Sequence, residues 1–147
     1  MIPAVKYRAA GASWDPTLPK EIIVAIVDDD ESVREALAGL MKSLGFRAKA
    51  FASAEDFLHS EERENTGCLI ADVQMPGMTG PELHDRLTAS GQPVPTILIT
   101  AYPDERLRAR ALQAGVMGYL TKPFGETELL ACVRSALDSH AARKGGA

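Results

Sequence analysis

Four places along this chain carry side chains able to handle a phosphoryl group, and each lies at the end of a short apolar run. Asp28 and Asp29 follow residues 22–27, Asp72 follows residues 68–71, Thr100 closes residues 96–100, and Lys122 follows residues 118–121. If the first and third runs lie side by side, three carboxylates converge. Such crowding is costly unless a divalent cation neutralises it or one carboxylate is protonated. Mg2+ suits the cluster: it takes hard oxygen ligands, keeps several waters, and is commonly held by one or two carboxylates plus a substrate phosphate. The acidic set therefore implies a phosphoryl group, with Thr100 as a donor and Lys122 as a cation for its oxygens.

The elements that would position these residues follow from the hydrophobic pattern. From residue 21 onward, short apolar runs alternate with helical periodicity, the pattern of a parallel sheet with helices on its faces. Five strands and five helices are expected. Residues 22–27 are apolar throughout, as in a strand covered on both sides. Val33, Leu37, Leu40, Met41 and Leu44 then recur at offsets 0, 4, 7, 8 and 11, a helical stripe stopped by Gly45. Residues 46–51 form the second strand, in which Arg47 and Lys49 mark an edge. Ser53, with Asp56 three residues on, opens the second helix. The third strand is 68–71, followed by the turn-rich stretch 73–80 and a helix over 81–89. The fourth strand is 96–100, with a helix over 104–115 turning Leu107, Ala111 and Ala114 inward. The fifth strand, 118–121, leads into a closing helix with Leu129, Leu130, Val133 and Leu137 inward. Right-handed crossovers put every strand-to-helix loop at the carboxyl ends of the strands, where ligands of such sheets bind.

The segments IVAIVDDDESVR, CLIADVQMPGMTG, ILITAY and GYLTKPF resemble the receiver domain of two-component response regulators, over residues 22 to about 140. Their texture is most similar to the branch whose full-length members regulate nitrogen-fixation genes. The resemblance implies a flavodoxin-like, doubly wound α/β fold, a five-stranded parallel sheet in the order 2-1-3-4-5. It implies Asp72 as phosphoacceptor, with Asp28, Asp29, Asp72 and the backbone carbonyl of Gln74 as Mg2+ ligands. Thr100 becomes the switch hydroxyl, Lys122 the cation contacting the phosphoryl group, and Tyr119 the switch aromatic. A cis Lys122-Pro123 bond is also implied. The expected partner is a sensor histidine kinase or a histidine phosphotransfer protein, and the chain would catalyse its own phosphotransfer and dephosphorylation without an external substrate. With no output domain after the receiver, the switch is expected to act on a separate downstream protein, or to serve as a phosphorelay intermediate or phosphate sink. A homodimer through the fourth helix, fifth strand and fifth helix is a further expectation.

An enzymatic rival rests on residues 28–32, which also read as D-x-D-x-S and resemble the haloacid dehalogenase phosphatases. Asp28 would then be the nucleophile and Asp30 the acid/base. This reading leaves Asp72 unexplained and lacks a later strand ending in an acidic pair.

The remainder of the chain bounds these readings. Of its 147 residues, 46% are hydrophobic and 24% charged, with a net charge of -4, which fits one globular domain without a general footprint for nucleic acid. Cys68 and Cys132 are isolated, without metal-ligand spacing, and read as reduced core thiols of a cytoplasmic protein. No apolar run approaches a membrane span. Residues 1–20, Pro-, Gly- and Ala-bearing, read as an irregular arm in which Ile2, Val5, Tyr7 and Trp14 could dock; residues 21–140 form the domain and 141–147 a short tail.

Overall fold

A computed structural model describes residues 22–145. The arm expected over residues 1–20 and the last two residues of the tail lie outside the described residues. Five parallel strands, β1 (Ile23–Val27), β2 (Arg47–Phe51), β3 (Thr66–Asp72), β4 (Thr96–Thr100) and β5 (Gly118–Thr121), form one sheet in the order β2-β1-β3-β4-β5. Helices α1 (Glu31–Ser43), α2 (Ala54–Leu58), α3 (Gly80–Ala89), α4 (Glu105–Gln113) and α5 (Glu126–Gly145) connect and close it, and a 3-10 turn (Glu61–Asn65) precedes β3. The fold class, strand order and helix number are those expected.

Burial explains the arrangement. All residues of β1, β3 and β4 are buried, as befits central parallel strands covered on both faces. The edge strand β2 leaves Arg47, Lys49 and Ala50 exposed. Strand alternation sends Val24, Ile26, Ile70, Ile97 and Ile99 to a core shared with α1 and α5. Ala25, Val27, Leu69, Ala71 and Leu98 face a second core with Phe57, Leu83 and Leu87.

Local signals set the boundaries. Asp30 caps α1 by accepting from the Ser32 and Val33 N–H groups at 2.9 and 3.3 Å. Gly45, at φ 93°, takes the left-handed conformation that stops it. A reciprocal capping box, Thr79 with Glu82, opens α3.

Three details differ from the sequence expectation. Leu44 and Ala114 are exposed rather than inward, because both are C-caps at which the helical stripe has already turned away from the core. β3 begins at Thr66 and includes Asp72, since pairing with β1 and β4 extends it beyond its apolar centre. α5 continues to Gly145, through most of the stretch set apart as a tail, because Ala141, Ala142 and Arg143 are good helix formers.

Candidate functional site at the carboxyl ends of the strands

The register of the sheet brings the predicted acidic residues together. β1 pairs with β3, so that Val27 lies opposite Ala71, and the residues that follow, Asp28 and Asp72, stand side by side. Asp28 is fully buried and Asp72 is 8% exposed. Asp29 is exposed at the rim. One carboxylate oxygen from each of the three lies within 4.8 Å of the others.

Each buried carboxylate has its oxygens separately engaged. The Asp30 N–H donates to Asp28 Oδ1 at 2.9 Å, and the Gln74 N–H donates to Asp72 Oδ1 at 3.1 Å. The remaining oxygens, Asp28 Oδ2 and Asp72 Oδ2, share one ammonium: Lys122 Nζ lies 3.3 Å from each. Lys122 is delivered by β5, its N–H donating to the Thr100 carbonyl at 2.8 Å, and is followed by the expected cis bond to Pro123.

Charge and burial oppose one another here. Burial pushes the Asp28 carboxyl above the ordinary carboxylate range; the Asp30 N–H and Lys122 pull it down, and the neighbouring Asp72 pushes it further up. Burial draws the Lys122 ammonium down, but Asp28 and Asp72 outweigh this and leave its pKa raised. Three converging carboxylates with one lysine amount to a hard-oxygen donor set with excess negative charge, and these residues fit a divalent cation such as Mg2+.

Thr100 and Tyr119 stand on adjacent strands at the same pole. Asp72 is in register with Ile99, so Thr100 lies one residue beyond it; Tyr119 is in register with Leu98. Thr100 is fully buried, and its hydroxyl is held locally, accepting from the Tyr102 N–H at 3.0 Å and donating to the Tyr102 carbonyl at 3.2 Å. The Tyr119 ring packs with the core that includes Leu107 and Ala111. Its hydroxyl is buried beside the Asp104 backbone without a well-formed hydrogen bond, and burial pushes the phenol pKa up.

Three supporting residues escaped the sequence reading. Arg34, on α1, donates from Nη1 to the Asp28 carbonyl at 2.8 Å. Glu55, on α2, accepts from the Met78 N–H at 3.3 Å and so ties down the loop after Asp72. Gly80 lies so close to the Asp72 carbonyl that a Cβ at this position would collide with it. The six-residue step from Asp28 to Arg34 could have signalled the first; contacts such as Glu55 with Met78, 23 residues apart, leave no local pattern.

A parallel 2-1-3-4-5 sheet with this acidic, lysine-bridged pole defines a receiver-type signalling domain, and comparison with known sequences agrees. Residues 24–134 match the response regulator receiver domain, and the chain belongs to this family. It is 42% identical to the response regulator protein TmoT of Ectopseudomonas mendocina over 118 residues, 80% of this chain and 54% of that protein. It is 37% identical to the transcriptional regulatory protein FixJ of Azorhizobium caulinodans over 120 residues, 82% of this chain and 57% of that protein. The chain thus spans about half the length of these curated relatives. Among solved structures, the response regulator StyR is similar with a TM-score of 0.79 and 40% identity, covering 86% of this chain and 64% of that one. The isolated FixJ-N structure gives 0.72 and 32%, covering 82% and 96%. Receiver domains take part in phosphorylation-dependent signalling between histidine kinases and downstream effectors, and generally bind Mg2+ at an acidic pocket. Among the described residues, no helix is long and apolar enough to cross a membrane.

Proposed function

We propose that this domain is a switch phosphorylated on Asp72 by a sensor histidine kinase or a histidine phosphotransfer protein. The observation that carries the reading is the shared ammonium: Lys122 contacts the one oxygen of Asp72 that no backbone N–H occupies. That oxygen attacks phosphorus, the P–N bond of the donor phosphohistidine breaks, and the departing imidazole keeps the electron pair and takes up a proton. Lys122 is placed to receive a phosphoryl oxygen as charge develops. Asp28, Asp29, Asp72 and the Gln74 carbonyl are the residues that would hold Mg2+. When bound, the ion would neutralise charge between the carboxylates and the phosphoryl oxygens.

The Thr100 hydroxyl must leave Tyr102 to reach a phosphoryl oxygen. That exchange of partners gives phosphorylation a differential hold on the β4–α4 loop, which is what a population shift requires. Tyr119, with its loosely satisfied hydroxyl, follows into the space released, and the surface of α4, β5 and α5 is read by a partner protein or by a second copy of the chain.

The burial of Asp28 supports Asp72 over Asp28 as the nucleophile. Asp30 is engaged as the cap of α1, which speaks against an acid/base role. The test is incubation with acetyl phosphate and Mg2+, read by intact mass and site mapping. One phosphoryl adduct is expected on Asp72, absent in Asp72→Asn and after chelation with EDTA. A label on Asp28 would overturn the assignment.

A further inference from the structure

At the pole opposite Asp72, the amino-terminal ends of the strands border a groove of about 350 Å3. Its walls come from the 3-10 turn before β3, the turn at Gly91–Pro93 between α3 and β4, and the last turns of α5. Arg63 from the first wall and Arg143 from the last both line it, together with Gln92 and His140. Among the described residues, Glu64 is the single acidic residue of the lining; it is exposed, as is Arg143.

The two arginines are only partly occupied. Arg63 donates from Nη2 to Ser90 Oγ at 3.2 Å, and Arg143 donates from Nη1 to the Pro93 carbonyl at 3.2 Å. A guanidinium carries five N–H donors, and among the described residues these contacts use one from each. The Arg63 Nε is buried and has no hydrogen-bond partner among the described residues. The Nε is closed off from solvent, so the fork that Arg63 offers to a molecule in the groove is that of its terminal N–H groups. The donor fork of arginine matches the paired oxygens of carboxylate and phosphate.

We propose that this groove is a second binding site, taking a small oxyanion-bearing molecule, a carboxylate or a phosphate, between Arg63 and Arg143. A cation would meet two like charges there, and a neutral ligand would leave them unanswered. Ligand sites begin at about 300 Å3, so the space suits a metabolite-sized molecule. Arg63 also borders a neighbouring groove with Arg86, but Glu55 lines that one and its carboxylate already holds the Met78 N–H. The proposed site does not depend on the phosphoacceptor assignment, since it lies at the start of β3, whose last residue is Asp72.

The test is NMR on the full 15N-labelled chain, following the Arg63 and Arg143 Nε–H signals and the Gly91 and Gln92 amides. Sodium phosphate and sodium glutarate are titrated separately at constant ionic strength, with chloride as the control. Saturable shifts are expected with at least one of the two anions, at a Kd of about 1 mM or tighter, and the tighter one identifies the ligand class. Arg63→Gln and Arg143→Gln should each weaken binding tenfold or more, and Arg86→Gln should leave it unchanged. Arg143 sits near a helix end, so its variant carries the test if Arg63→Gln disturbs the fold. Shifts that are linear and equal to those from chloride would overturn the proposal. So would binding lost in Arg86→Gln and kept in Arg143→Gln.

Discussion

Helices α4 and α5 lie on opposite faces of the same sheet and are anchored very unequally. α5 places Leu129, Val133, Ala136 and Leu137 in the core, each at most 1% exposed. α4 has nine residues, of which only Ala111 is buried, while Arg106, Arg108 and Arg110 are exposed. Its hold on the domain is the half-buried Leu107, the edge of Tyr119 and the Asp104 cap, whose carboxylate accepts from the Arg106 and Leu107 N–H groups at 3.0 and 3.2 Å. Local stability follows buried apolar contact, and segments that move are drawn from its low end. A disturbance at the ends of β4 and β5 therefore reaches a helix with little to lose on one face and a fixed one on the other.

Amide hydrogen exchange would break this contrast most directly. Central amides of α5 should exchange on the order of a hundredfold more slowly than those of α4. Binding of beryllofluoride at Asp72 should change α4 and leave α5 nearly untouched. In Thr100→Ala, Asp72 should still accept phosphate while the α4 response is largely lost; equal responses of the two helices would remove the basis of the comparison.

Truncation sharpens it next. Leu129→Ala should cost about 2 to 5 kcal/mol, the range for a fully buried leucine. Leu107→Ala, at a half-buried position, should cost about 1 kcal/mol. Urea unfolding monitored by circular dichroism measures both.

A third variant, Asp104→Ala, removes the cap of α4 and should cost about 1 kcal/mol by the same assay. Its larger signature should be faster exchange confined to the first turn of α4.

The smallest effect concerns His84, buried on α3 in the groove shared with Leu107 and Ala111. Burial lowers its pKa, with Asp85 opposing. The folded state thus binds the proton less readily than the unfolded chain. Stability from this group is complete above about pH 6.5 and is lost as pH falls through the lower folded value. Between pH 7 and 5.5 the loss should be under about 1 kcal/mol, and His84→Leu should flatten that part of the pH-stability curve.

Much of this was legible in the residue pattern, for identifiable reasons. β4 and β5 have the bounds expected, because their apolar runs are bracketed by Pro95, Gly118 and Lys122-Pro123. Asp28, Asp72 and Lys122 meet because strand order converts a sequence spacing into adjacency, and that order came from resemblance rather than periodicity. The fate of a side chain at a helix end was not legible: Leu44 and Ala114 continue the apolar stripe in sequence but not in space. Nor were the Thr100 contacts with Tyr102 visible, since a threonine at a strand end is equally compatible with facing its own loop or its neighbour.

The shared ammonium of Lys122 has an energetic corollary. Because Asp28 and Asp72 lean on the same cation, neutralising either one hands the lysine entirely to the other. The costs of Asp28→Asn and Asp72→Asn are therefore not independent quantities, and their sum misstates the double variant. Each carboxylate keeps its own backbone hydrogen bond, from the Asp30 or the Gln74 N–H, but the contribution of the lysine belongs to the pair, and double-mutant cycles against Lys122→Met would measure how it is divided.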